Sequence, residues 1–259
     1  MNEKSPNKNK NAFIVVWFGA LPYWFEFFLR SCEHNPLYDW LIWSDATPPK
    51  NLPSNVKMID FSLQEFNKLA SYKLNRTVEV ARPYKLCDYK PMYGLVWEEA
   101  LGQYDYWGFC DLDVIWGDID QFFRKYLIQR TDIITCGGAT TIGGLHYRIQ
   151  GPCTLVRNSE RLNKSFINTP DYRRAIAVDE YVCFDEGSWD QYIKGRSDIS
   201  LEILLNLSNF ENGDAVLEST WINGKLYLPS GREIVVHHMI EKNRKFEKVN
   251  NAFCISPKK

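Results

Sequence analysis

Tyr106-Trp-Gly-Phe-Cys-Asp-Leu-Asp-Val-Ile-Trp-Gly-Asp118 is the most informative stretch of the chain. An apolar run there ends in two carboxylates, Asp111 and Asp113, one residue apart. In an extended strand, residues two apart point to the same side. The pattern therefore predicts a buried strand over residues 106–110 that delivers both carboxylates to one side at its end, with Leu112 turned the other way into apolar packing. Two such carboxylates offer hard oxygen ligands to a divalent cation. A cation held there can clamp a diphosphate and stabilise it as a leaving group. The competing reading of acids after a strand is a solvated end or a helix N-cap. Asp118 and Asp120 fit that reading, because they precede the helical-looking residues 121–127.

The rest of the first half supplies a frame for this strand. Residues 12–18 (AFIVVWF) form a continuous apolar run, which predicts a parallel strand buried on both faces. Gly19–Pro22 reads as a turn, with Pro22 placed to open a helix over residues 23–32. Further strands are predicted at 39–43 and 56–61. Ser62 with Glu65 three residues on forms a capping box for a helix over 63–69. Residues 83–100 read as helical in part. Strands alternating with helices predict an α/β fold with a mostly parallel sheet and helices on both faces. Ligands then bind beyond the carboxyl ends of the strands, where Gly19, Ala20 and the Asp pair all fall.

The second half is less regular. Strands are predicted at 132–136, 152–157 and 232–238, the last ending in His237 and His238; residues 199–207 read equally as strand or short helix. The glycine-rich run 137–144 lacks the spacings of dinucleotide or Walker loops and reads as a plain loop. No internal repeat or linker is evident, so one compact domain is expected after a polar, disordered N-terminal arm at residues 1–11.

Composition narrows the function classes. The chain has 259 residues, 45% hydrophobic and 24% charged, as expected of a soluble globular protein. Aromatics reach 15%, which reads first as core packing and second as sugar-stacking surface. A net charge of −1 provides no electrostatic footprint for nucleic acid. The seven cysteines are scattered and contain no Cys-x-x-Cys pair, which argues against zinc and against a disulfide framework and for reduced thiols in the cytoplasm. The arm is too polar for a signal peptide. No apolar run reaches the roughly 18–20 residues of a membrane span; peripheral contact at the inner face of the cytoplasmic membrane stays open.

With these residues in hand, the chain resembles a bacterial family of glycosyltransferases with the GT-A fold. Four pieces carry the likeness: Phe18-Gly-Ala-Leu-Pro-Tyr-Trp-Phe-Glu-Phe-Phe-Leu-Arg-Ser-Cys-Glu-His-Asn-Pro36, running on to Leu41-Ile-Trp-Ser-Asp45; Pro83-Tyr-Lys-Leu-Cys-Asp-Tyr-Lys-Pro-Met-Tyr-Gly94; the stretch 106–118; and Phe184-Asp-Glu186 together with Val236-His-His-Met-Ile-Glu-Lys242. They follow the family's order over nearly the whole chain. The resemblance implies a GT-A-like fold with a nucleotide-binding half at 12–120 and an acceptor and metal-completing half at 121–259. It also implies transfer of a sugar from a nucleotide-sugar, a UDP-sugar above all, to a glycan or other hydroxyl acceptor in surface polysaccharide synthesis.

It further implies residue roles. Asp113 would bind Mn²⁺ or Mg²⁺ directly, with Asp111 acting on the metal, the ribose or a water. His238 would complete the metal site, although His237 is one slip away. Phe18, Gly19 and Ala20 would meet the nucleobase. Lys85 and Asp88, one helical turn apart, would contact the donor's phosphate and sugar, with Lys90 a weaker member of the set; the bland alternative is a surface ion pair. Lys242 and Lys245 would meet the diphosphate, against the alternative of a solvated charged tail over 241–248. Asp185 or Glu186 would be the base of an inverting reaction or would hold the donor sugar in a retaining one, with Asp179, Glu180 and Asp190 as competitors. Stereochemistry stays open, with a lean to retention from Lys85 and Asp88. Two other readings remain: a non-catalytic sugar-binding or assembly protein on the same scaffold, and a haloacid-dehalogenase-like phosphatase. The latter normally has Thr or Val where Ile115 stands.

Overall fold

A computed structural model of the protein describes residues 10–136, 149–211, 214–239, 244–249 and 251–258. Strands β1 (Asn11–Trp17), β2 (Tyr38–Ser44), β3 (Val56–Asp60) and β4 (Tyr106–Phe109) pair in parallel in the order β3-β2-β1-β4. The sequence places each to within a residue or two; β1 starts at Asn11, inside the stretch assigned to the arm. The chain then leaves this sheet for the short strand β5 (Val114–Trp116). It returns as β6 (Ile133–Thr135), β7 (Thr154–Arg157) and β8 (Leu201–Ile203), extending the sheet to seven strands, β3-β2-β1-β4-β7-β6-β8. Only β7 runs antiparallel to its neighbours. Of the ambiguous stretch 199–207 only Leu201–Ile203 is an edge strand, and none of it is helix.

The continuous apolar runs are explained by packing on both faces. Phe13 and Val15 of β1, with Trp40 and Ile42 of β2, join helix α1 (Phe25–Glu33) in one core cluster. Ala12, Ile14, Leu41 and Trp43 point the other way and join Phe66 and Ala70 of helix α2 (Leu63–Leu74) in a second. Each large side chain buried this way contributes about 1.5–3 kcal/mol, so neither face can be polar without loss. Both sides of the predicted capping box on α2 are present: Ser62 Oγ accepts from Glu65 N at 3.2 Å, and Glu65 Oε2 accepts from Ser62 N at 2.7 Å. The helix runs past residue 69 and ends where Asn75 adopts the left-handed conformation (φ 50°). Asp118 caps helix α3 (Ile119–Ile128) by accepting from Gln121 N at 3.0 Å, and Asp120 pairs with Arg124 in its first turns.

The C-terminal region departs most from expectation. A small hairpin, β9 (Phe210–Glu211) with β10 (Asp214–Ala215), precedes β11 (Ser219–Ile222), β12 (Lys225–Tyr227), β13 (Glu233–Ile234), β14 (Val236–His238), β15 (Arg244–Val249) and β16 (Ala252–Pro257). Five of these form an antiparallel sheet, β13-β12-β11-β16-β15. Asn223 and Gly224, both at positive φ (49° and 86°), make the tight turn between β11 and β12, an Asn-Gly signal of the hairpin kind. The predicted strand 232–238 is two pieces: β13 stays with β12, while β14 crosses to pair with β5. The charged segment expected to be a solvated tail contains β15, whose Arg244 is fully buried. Phe246 of β15 stacks on Phe27 of α1 at 4.2 Å between ring centroids, tying this sheet to the first. The described residues make one mixed α/β domain with a mostly parallel main sheet. No helix among them is long and apolar enough to cross a membrane.

Candidate functional site

The acid pair lies in the turn between β4 and β5, not in the extended strand that the i, i+2 argument assumed. Leu112 is buried as expected, and its carbonyl accepts from Trp24 Nε1 at 3.0 Å, which pins the turn. β14 runs alongside β5 with His238 opposite Val114, and Met239 N donates to Asp113 O at 2.8 Å. This ladder carries His238 to the acid pair from over a hundred residues away in sequence. Asn209 locks the strand end: its Oδ1 accepts from His238 N at 2.8 Å and its Nδ2 donates to His238 O at 3.1 Å. No motif in the sequence points to Asn209.

Asp111, Asp113 and His238 place one potential ligand atom each within 4.8 Å of one another, the only such group of three acid, His or Cys side chains among the described residues. His238 Nε2 stands 3.5 Å from Asp113 Oδ1. That oxygen is buried and has no hydrogen-bond partner among the described residues. Burial works against a charge on His238, but the Asp113 and Asp111 carboxylates outweigh it and hold the imidazole above its ordinary range. His237 faces the opposite side, fully buried, and burial, with Arg244 beside it, pushes it down to about 3. The one-residue ambiguity between the histidines is thereby resolved in favour of His238 as the one beside the acids.

These residues border a cavity of about 480 Å³ that is also lined by Trp17, Phe18, Tyr84, Lys90, Tyr181, Asp185 and Glu186. A larger, more open groove of about 680 Å³ lies between α1 and residues 49–53 and holds no such cluster. Phe18 reaches the cavity; Gly19 and Ala20 line a shallow depression with Asp45, and Gly19 N (φ +99°) donates to Asp45 Oδ1 at 2.7 Å. Lys90 is more central than its sequence suggests. Its ammonium is buried between Asp111 Oδ1 at 2.5 Å and Gly151 O at 3.2 Å. Burial opposes its charge, and Asp111 above all more than restores it, so its pKa lies well above the ordinary value.

Asp185 and Glu186 open a π-helical turn, Asp185–Trp189, and differ in kind. Glu186 Oε1 is engaged by Gly151 N at 2.7 Å. Asp185 is 2% exposed and its Oδ1 has no hydrogen-bond partner among the described residues. Burial pushes its carboxyl up to about 8; Lys90 pulls it down and Glu186 pushes it up. Gly151 sits against both carboxyls and Lys90, since a Cβ there would lie 2.8 Å from Lys90 Nζ, 3.0 Å from Glu186 Oε1 and 3.3 Å from Asp185 Oδ2.

Lys85 and Asp88 depart from expectation. They are not a surface pair: their side chains are 1% and 0% exposed, joined at 2.9 Å, and neither lines the cavity. Asp88 accepts from Val182 N at 2.9 Å and Phe184 N at 2.7 Å, and Lys85 Nζ donates to Glu180 O at 2.8 Å. The pair braces the segment that delivers Asp185. The competing acids are used elsewhere: Asp179 accepts from Ala81 N at 3.0 Å, and Asp190 accepts from Ile149 N at 2.8 Å and from Lys194. Lys245 is exposed and pairs with Glu247. Lys242 and the glycine-rich run 137–144 lie outside the described residues.

A family model described as a family of unknown function, DUF6625, matches residues 13–251, which is nearly all of the domain. No curated protein matches the chain.

Proposed function

The chain belongs to the DUF6625 family, and we propose from its site that it is a metal-dependent glycosyltransferase of GT-A-like fold. It would pass a sugar from a nucleotide-sugar, expected to be UDP-linked, to a hydroxyl of a glycan acceptor in bacterial surface polysaccharide synthesis. One observation carries the reading: the Asp111–Asp113–His238 cluster and Asp185, whose Oδ1 has no hydrogen-bond partner among the described residues, line the same cavity beside the carboxyl ends of parallel strands.

Two carboxylates and an imidazole suit Mn²⁺ or Mg²⁺. The buried oxygen of Asp113, 3.5 Å from His238 Nε2, supports that fit. Asp111, Asp113 and His238 would hold the ion, whose charge, when bound, would stabilise the departing diphosphate. Lys90 fixes the Asp111 carboxylate and adds positive charge on the same side. Trp17 and Phe18 border the cavity where the first strand ends, a place for the nucleobase. Asp185 takes the acceptor's proton: as the hydroxyl oxygen bonds to the anomeric carbon and the sugar–phosphate bond breaks, the O–H proton passes to a carboxylate oxygen that no other group occupies. Burial pushes this carboxyl up to about 8, so only its ionised form acts as the base, and turnover should rise with pH toward that value. Glu186, held by Gly151 N, orients the turn. With Lys85 and Asp88 buried, the argument for retention lapses, and a base in the cavity favours inversion.

The test is thermal stability with a panel of nucleoside diphosphates, with and without Mn²⁺, on wild type and Asp113→Asn. A ligand that binds only the folded state raises stability by RT ln(1 + [L]/Kd). A Mn²⁺-dependent shift with one nucleotide, lost in the variant, is the expected result. No shift with any nucleotide in folded protein would refute the reading.

A further inference from the structure

Two aromatic side chains on the cavity wall are exposed where the fold could have covered them. Tyr84 is 67% exposed and Tyr181 36%, and both line the cavity. Their rings stand 5.1 Å apart at 68°, forming a corner. Tyr84 comes from the 3₁₀ segment Pro83–Met92, and Tyr181 from the stretch held by the Lys85–Asp88 brace through Glu180 O and Val182 N. The corner is therefore set by a buried ion pair, not left to loop motion. A tyrosine ring carries a large apolar face, and leaving two beside a cavity forgoes burial that a partner would supply.

The neighbouring charges limit what that partner can be. Asp185 and Glu186 border the same cavity as both tyrosines. Carboxylates repel a phosphate but accept hydrogen bonds from hydroxyls. The cavity wall carries Asp111, Asp113, Asp185 and Glu186 against Lys90 and His238, so beside the tyrosines it suits a neutral, hydroxyl-rich ligand better than a phosphate. A flat heterocycle is held best against one face or between parallel faces. A puckered pyranose, with C–H bonds on one side and hydroxyls around its rim, fits a corner of two rings edged by acids.

We infer that Tyr84 and Tyr181 form the platform for a neutral pyranose ring of the glycan acceptor, and that they, with Asp185, set which acceptor is used. Calling this ring the acceptor rests on the transferase reading; the carbohydrate platform does not. The test titrates wild type, Tyr84→Ala, Tyr181→Ala and Tyr84→Phe with a panel of neutral oligosaccharides, followed by saturation-transfer NMR and calorimetry. Stabilisation by nucleoside diphosphates with Mn²⁺ is measured in parallel. Both alanine variants are expected to weaken saccharide binding at least tenfold and to keep the wild-type nucleotide response. Tyr84→Phe is expected to bind as wild type, because the ring face carries the contact. Absence of saccharide binding by wild type, unchanged affinity in both alanine variants, or loss of the nucleotide response instead would each overturn the inference. Saccharide binding that depends on both tyrosines, in a protein with no nucleotide response, would uphold the platform and overturn the transferase reading.

Discussion

Replacing Asp185 by Asn should make the protein more stable as pH rises, while removing turnover. The Asp185 carboxyl has an ordinary value of 3.8, and burial, aided by Glu186 and opposed by Lys90, pushes it up to about 8 in the folded state. Between those values the folded protein keeps a proton that the unfolded chain has released. Stability is therefore greatest below the lower value and declines as pH rises through the higher one. One pKa unit corresponds to about 1.4 kcal/mol, so this group can remove no more than about 1.4 kcal/mol per pH unit inside the window, or about 2.7 kcal/mol from pH 5 to 7. Relaxation around a cavity-lining carboxylate lowers that ceiling, and a widening of about 1–2 kcal/mol over those two units is the expected size. Asn carries no such slope. Urea unfolding of wild type and Asp185→Asn in metal-free buffer at several pH values reads the difference directly, because every other titrating group is common to both. The variant should gain on the wild type steadily from pH 5 and level off above about 8. Turnover should fall by about 10²–10⁴, the usual contribution of a general base. Parallel stability profiles, or a wild type that gains on the variant with rising pH, would refute the buried, protonated state assigned to Asp185.

The imidazole of His238 must lose its proton before it can ligate, and Asp113 and Asp111 hold that proton more tightly than usual. Mn²⁺ affinity should therefore rise with pH through and above the ordinary imidazole range near ~6.5. The slope should shrink in His238→Ala; calorimetric titration of both proteins checks this, and identical profiles would remove His238 from the ligand set. Asp88→Asn removes the charge that pairs with buried Lys85 and leaves one accepting oxygen where two now serve Lys85, Val182 N and Phe184 N. It should cost about 3–5 kcal/mol of stability and lower kcat with little effect on nucleotide binding, whereas unchanged stability and turnover would deny the brace.

The parallel half of the fold was readable because its signals are local. Residues 12–18 are apolar throughout because both faces of β1 are covered, and the Ser62–Glu65 box marks a helix start through bonds spanning three residues. The C-terminal half was not readable in the same way. The single strand expected at 232–238 is two strands because each piece found a different partner, β12 or β5, and partner choice depends on packing that no short window encodes. The Asn223-Gly224 turn was a local signal that went unused. Arg244 looked like part of a charged tail, yet it is buried in the strand that docks on α1.

The candidate site divides along the same line. Residue types and spacing alone establish the alternation of strands and helices, the acid pair beside the carboxyl ends of parallel strands, and the presence of histidines and further carboxyls at a distance. Which of these groups meet is a matter of the folded chain. Pairing of β14 with β5 brings His238, and not His237, to Asp113. Burial turns Lys85 and Asp88 from a candidate ligand contact into a brace, and makes Lys90 the partner of Asp111. The same burial leaves Oδ1 of Asp185 without a hydrogen-bond partner among the described residues while Gly151 engages Glu186. A side chain's reach is fixed by its type, but its solvation and its neighbours are set by segments far away in sequence, and those two quantities govern whether an acid binds, braces or takes a proton.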